Sequence, residues 1–273
     1  MQISKKRFTL FTLPSLLLFG LFFVLPVVVI LSEALSDSTS FGRVLSDPLF
    51  QKGLWGTIAL GIFAPLFSVV IGFCVTMALS RMKARTRTIA LFAISLPLTF
   101  SGLIIAYGFI LAFGRAGFVT QVAAELGFDP AVVGAFIFSP MGLGFAYSYY
   151  LIPRVIMIMM PAIQNFDMVQ LSVARSLGAR PWRTIVEIML PQVLPSLVSS
   201  FCLTSAVAMG AYGTALALVG TQLNILPLLL YSKVSEGGTD MPAAAAISLI
   251  LMAICCVVIA VGEVIVSRRR QVK

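Results

Sequence analysis

Residues 9–31 read TLFTLPSLLLFGLFFVLPVVVIL. The stretch carries no charge, and at about 23 residues it exceeds the ~20 that a helix needs to cross a hydrocarbon core. Its apolar residues do not alternate with polar ones at every second position, as those of a lipid-facing barrel strand would. Backbone N–H and C=O groups in hydrocarbon must be paired within the element, so a run of this kind is a helix. Lys5, Lys6 and Arg7 stand just before it, and Ser32-Glu33-Ala34 just after. That outline resembles a secretory signal, whose apolar core is about 7–15 residues. The run is too long for that reading, which leaves an uncleaved first span.

Five further apolar runs lie downstream, from Trp55 to Leu79, Ile89 to Phe113, Gly134 to Met160, Gln192 to Val219 and Ala243 to Val266. They leave no room for a separate soluble domain. Composition agrees: the 273 residues are 59% hydrophobic and 11% charged, where soluble domains hold about 25% charged residues. The chain is therefore read as an all-α polytopic membrane protein of about six transmembrane helices, forming one domain over residues 9–266.

A net charge of +9 raises nucleic acid as a partner, but the basic residues cluster at the ends of apolar runs, with no stripe interleaved with stacking aromatics. Their placement gives topology instead. All but four of the 19 lysines and arginines fall in one alternate set of connections; the other set holds Arg43, Lys52, Arg115 and Lys233. The richer set faces the cytoplasm, which puts both termini inside. Glu33, Asp37, Asp47, Glu125, Asp129, Glu236 and Asp240 fall outside; they form an acidic mouth for a cation or basic surface, or are merely tolerated there. Cys74, Cys202, Cys255 and Cys256 all lie within spans and the chain has no histidine. Neither a disulfide framework nor a metal site is expected, and no cofactor.

The connection from Pro161 to Pro191 is long, basic and patterned as helix. Asp167 can cap a helix start, and Met168, Leu171, Ala174 and Leu177 recur at helical spacing as one apolar stripe. Gly178 stands where a helix end needs positive φ, and Pro181 in the first turn of a second helix running through Ile188 and Leu190 to Pro191. Physics alone leaves two readings open: an amphipathic segment on the inner leaflet, or a surface for a protein partner.

The same stretch resembles the EAA loop of binding-protein-dependent ABC importer permeases (the MetI-like superfamily), whose pattern is Glu-Ala-Ala, three residues, Gly, nine residues, Ile-x-Leu-Pro. Here it reads Ser172-Val173-Ala174, Arg175-Ser176-Leu177, Gly178, and Ile188-Met189-Leu190-Pro191. Ser172 replaces the glutamate and Val173 the first alanine, so the ionic contact of that glutamate does not carry over. Gly210-Ala211-Tyr212-Gly213-Thr214-Ala215-Leu216 and Asn224-Ile225-Leu226-Pro227-Leu228 are similar to the spermidine/putrescine-type branch; related branches handle iron(III), sulfate, thiamine, opines and phosphonates. The resemblance implies an inner-membrane permease that is not itself an enzyme, with residues 161–191 as a coupling loop on a cytoplasmic ABC ATPase dimer. It also implies a second, related permease chain, an extracytoplasmic solute-binding protein, and a small polar solute, with a polyamine as the expectation.

Candidates for the solute's path are Thr204, Tyr212 and Thr214 in the fifth run, with close helix packing as the plainer use of its small residues. Tyr107, Tyr147, Tyr149 and Tyr150 are further candidates or interfacial anchors. A charge deep in a span would mark function. Arg154, beside Pro153, is the nearest candidate, and Glu263 lies close to the inner end of the sixth run. Both are read first as reaching the cytoplasmic interface along their own stems. An intramembrane enzyme would need a base or metal ligands, and histidine, the commonest of both, is missing. A membrane scaffold would not need the paired-helix loop.

Overall fold

A computed structural model describes residues 5–37, 39–220, 223–235 and 240–271. Glu236 and Lys273, which entered the charge pattern, lie outside the described residues. Every regular element among those described is helical. In order they are α1 (Lys5–Phe19), a π turn (Gly20–Val24), α2 (Leu25–Ser36), α3 (Ser40–Ser46), α4 (Pro48–Ser80), α5 (Ala84–Ser95), a 3₁₀ turn (Leu96–Thr99), α6 (Gly102–Phe113), α7 (Phe118–Glu125) and α8 (Pro130–Ala135). After a second 3₁₀ turn (Phe136–Phe138) come α9 (Pro140–Gln164), α10 (Val169–Ser176), α11 (Pro181–Thr184), a π turn (Ile185–Met189), α12 (Leu190–Met209), α13 (Gly213–Val219), α14 (Leu226–Ser235) and α15 (Met241–Gln271). Six stretches are long and apolar enough to cross a membrane: Thr12–Ser36, Pro48–Ser80, Gly102–Glu125, Pro140–Gln164, Pro181–Met209 and Met241–Arg268. The six-span reading thus agrees with the structure.

α4, α9 and α12 form the centre of the bundle, with α15 against α12 and α2 on the outer side of α15. Asp47 caps α4 by accepting from the Leu49 amide at 2.8 Å, and Pro48 in the first turn has no N–H to leave unpaired. The buried face of α4 is a ladder of small residues: Gly53, Thr57, Gly61, Ala64, Ser68, Gly72 and Thr76. Small residues let backbones approach where no hydrophobic driving force separates helix from lipid. At Gly72 a Cβ would stand 2.6 Å from Cγ1 of Val155 on α9, and at Gly61 2.5 Å from the Met209 side chain on α12. Thr57, Ser68 and Thr76 donate to carbonyls four residues back at 2.8, 2.7 and 2.6 Å, so their burial leaves no donor unpaired. The Thr57 hydroxyl also accepts from the Leu226 amide at 2.8 Å, anchoring the start of α14.

Two apolar runs that read as unbroken are interrupted. The run Ile89 to Phe113 splits because Pro97 has no N–H to give the carbonyl of Ala93; the chain turns through Leu96–Thr99 and restarts at Gly102. The run Gln192 to Val219 breaks at Gly210, Ala211 and Tyr212, between two glycines of low helix propensity, and restarts at Gly213. The fourth span begins at Pro140 rather than Gly134, since Ser139 caps it by accepting from the Gly142 amide at 3.1 Å. It runs through Pro161 to Gln164, so the long connection starts later than its prolines suggested.

At one end of the bundle Arg43, on α3, pairs with Asp37 and, at 3.2 Å, with Asp240 just before α15. This clasp joins the connection after the first span to the one before the last.

Candidate functional site

The two interruptions meet. Thr214, at the start of α13, donates to the carbonyl oxygen of Gly102, at the start of α6, at 3.1 Å, and a Cβ on Gly102 would stand 2.6 Å from the Thr214 hydroxyl. Tyr147 on α9 donates to the carbonyl oxygen of Ala211, inside the second break, at 2.8 Å. Broken transmembrane helices commonly build binding sites, because the freed backbone needs partners and leaves space between half-helices.

That space is a cavity of about 310 Å³ lined by Pro97, Leu98, Phe100, Gly102, Ile105, Tyr150, Arg154, Val207, Gly210, Ala211, Tyr212, Gly213 and Thr214. Of the sequence candidates, Tyr212, Thr214 and, among the further tyrosines, Tyr150 are in this wall. Thr204 is not: it is fully buried, and its hydroxyl donates to the carbonyl of Ser200 at 2.6 Å. Tyr107 faces outward, and Tyr147 is buried with its hydroxyl on Ala211. Tyr149 lines a larger hollow of about 520 Å³ beside Phe100, Phe109, Phe113 and Phe145, which offers hydrocarbon and little to hold a polar group.

Arg154 was not placed in this wall by the sequence. Arg154 stands 10 residues before the last residue of α9, roughly 15 Å along the axis at 1.5 Å per residue. It belongs to the cavity wall, well inside the helix. No carboxylate among the described residues pairs with it. Tyr150, one helical turn earlier, is 9% exposed. Its hydroxyl lies near the Thr214 hydroxyl and within reach of the Arg154 charge, yet makes no hydrogen bond of ordinary geometry. The readable signal was Pro97 and Gly210-Ala211-Tyr212-Gly213, breakers inside two apolar runs.

The second candidate surface is the α10–α11 pair. Asp167 accepts from the Val169 amide at 2.9 Å. Gly178 takes φ +86°, its amide bonds the Arg175 carbonyl at 2.9 Å, and the Ala179 amide bonds that of Ala174 at 3.0 Å. This is the doubly bonded helix end that a left-handed residue permits. Leu171 is buried against a cluster that includes Ile163, Phe166, Met189 and Val193. The rest of the expected stripe is not: Met168 and Leu177 are exposed, Leu177 at 83%, and Ala174 is half-buried. Ser172, Val173 and Arg175 also face outward, as do Gly178 and Pro191, while Ile188 and Leu190 are half-buried. The second helix does not end before the fifth span, as its proline suggested. It passes into α12 through the π turn, because Pro191 has no N–H for the carbonyl four residues back and the helix widens to pass it.

Residues 68–271 match the family described as the binding-protein-dependent transport system inner membrane component. The chain belongs to this family. As such a component it is a multi-pass inner-membrane permease subunit of an ABC importer and not an enzyme; ATP is hydrolysed by a separate subunit, and a periplasmic binding protein delivers the solute. The permease is 26% identical over 255 residues to the sulfate transport system permease protein CysW of Synechocystis, covering 91% of this chain and 90% of that one. It is 25% identical over 214 residues to the spermidine/putrescine transport system permease protein PotB of Escherichia coli, covering 78% and 77%. In fold it resembles a chain of a bacterial alginate ABC transporter, solved with an alginate-bound periplasmic protein, with TM-score 0.78 at 16% identity over 94% and 93% of the chains. A chain of the inward-facing MetNI methionine transporter gives TM-score 0.61 at 17% identity, over 82% and 98%.

Proposed function

We propose that this permease pairs with a second, related permease chain and passes a small polar solute through the cavity at the two helix breaks. In this reading both termini, the Arg81 to Arg87 connection and the α10–α11 pair face the cytoplasm, and the pair docks on an ATPase dimer. The observation that carries it is the division of α10 into two faces. Leu171 is held in the core by Met189 and Val193, while Val173, Leu177 and Trp182 stand exposed beside Arg175 and Arg183. Exposed apolar side chains ringed by cations suit a protein groove, and a buried Leu171 ties any force on that surface to the fifth span. The loop's match to the EAA pattern supports the same assignment.

The test is disulfide trapping. Cysteine at position 177, in a chain freed of its native cysteines, should cross-link to a cysteine in the groove of the copurified ATPase, and nucleotide should change the yield. A chain that never copurifies with an ATPase refutes the reading. As for the solute, sulfate and polyamine permeases stand among the relatives at nearly equal identity. A polyamine would call for carboxylates in its path, and the cavity wall, which holds Arg154 and no carboxylate, supports an anion instead.

A further inference from the structure

We propose that the solute is an anion and that Arg154 is its countercharge inside the membrane. The inference rests on the permease reading above and adds the chemical class of the cargo. An arginine well inside a span is costly and normally has a partner there. Arg154 has none among the described residues, and the cavity it lines contains no carboxylate. Three donors converge on the same space. The Tyr150 hydroxyl is buried without a hydrogen bond, where an unpaired buried donor carries a desolvation cost that a ligand would remove. The first turn of α6 opens on the cavity at Gly102. The Ser101 hydroxyl caps the Ile104 amide, and the remaining first-turn amide hydrogens and partial positive charge are what a helix N-terminus presents to an anion. Tyr212 adds a phenol to the wall. A guanidinium, hydroxyls and a helix start are the set that holds an oxyanion. A diamine or polyamine entering this space would meet a fixed positive charge and no negative one.

The test uses the complete importer, with its partner permease, ATPase and binding protein, in proteoliposomes. ATP-driven uptake of labelled sulfate, inorganic phosphate, methylphosphonate and putrescine is compared. One of the three anions is expected to accumulate and putrescine is not. Arg154→Gln should lower the initial rate for that anion at least tenfold and Arg154→Lys less, while Tyr150→Phe should lower it severalfold, with the ATPase still copurifying in each. Putrescine uptake without anion uptake, or an assembled complex that moves none of the three anions, overturns the proposal. So does an undiminished rate in Arg154→Gln, the result expected if the arginine only holds a lipid phosphate. Should Arg154→Gln fail to assemble, unchanged rates in both Arg154→Lys and Tyr150→Phe overturn it. Failure of the underlying permease reading looks different: no ATPase copurifies with the wild-type chain.

Discussion

The Tyr147 hydroxyl donates to the carbonyl oxygen of Ala211 at 2.8 Å, across 64 residues of sequence. It thereby satisfies a backbone group that the break between α12 and α13 frees from its own helix. Tyr147 is wholly buried on α9, while Ala211 is half-buried in the cavity wall. Tyr147→Phe should lower the stability of the detergent-solubilised chain by about 0.5–1.5 kcal/mol, the net worth of one such hydrogen bond. Denaturation midpoints would show it, and an unchanged midpoint would mean that the break tolerates the loss.

Close approach of α4 and α9 depends on Gly72 lying under Val155. Gly72→Val should destabilise by about 1–3 kcal/mol through overpacking. Adding Val155→Ala should restore most of it, since the methyl groups removed are those the new side chain meets. A double-mutant cycle reads the coupling, and additive losses would refute the contact as the cause.

Gly178 has open space around its α-carbon, so its constraint is the φ of +86° alone. Gly178→Val should cost about 1–3 kcal/mol of local strain, and Gly178→Asn less. The valine variant should insert normally yet lose ATPase copurification and uptake, while Ser172→Ala, on the exposed face, should be mild. Wild-type uptake by Gly178→Val would reject the coupling role.

Topology is checked by labelling. In a chain without native cysteines, a cysteine at Arg180 should resist an impermeant thiol reagent applied to intact cells, and one at Leu126 should react. Reversal of that pattern would overturn the orientation.

At the acidic end, the hydroxyl and then the amide of Thr39, with Arg43, hold the Asp37 carboxyl below its ordinary value. A depressed pKa contributes stability above the unfolded value, and that contribution fades as pH falls through the lower folded one. Cleavage of the 37–47 connection by an acid-active protease should therefore rise only below the usual carboxylate range. In Asp37→Asn it should already be raised above that range.

Number and order of spans were legible because lipid leaves a chain few choices: an apolar run of sufficient length must be a helix. Asp167, Gly178 and Pro181 were legible for a similar reason, since caps and turns rest on the chemistry of single residues. The breaks were harder. Pro97 and Gly210 sit inside long apolar runs, and averaging over a span-length window hides a single missing N–H. That Arg154 lines the cavity was hidden because a sequence gives distance along the chain and not the direction a residue faces. Its run reads as continuing to Met160, and α9 carries it to Gln164, 10 residues past Arg154. Thr204 and Thr214 are alike as letters. Only the fold shows that one bonds its own helix and the other a neighbouring one.

The outermost span has a consequence for how the protein is made. The first span is essentially unburied within the chain, packs chiefly on α15, and is clasped through Arg43 to Asp240, 197 residues later. At about 5–20 residues per second, the ribosome delivers that docking partner on the order of 10–40 s after the first span has left it. Throughout synthesis the first helix must wait in lipid alone, which its hydropathy of 2.7 and lack of charge within the span core allow. The chain is thus inserted from one edge and closed by its final helix.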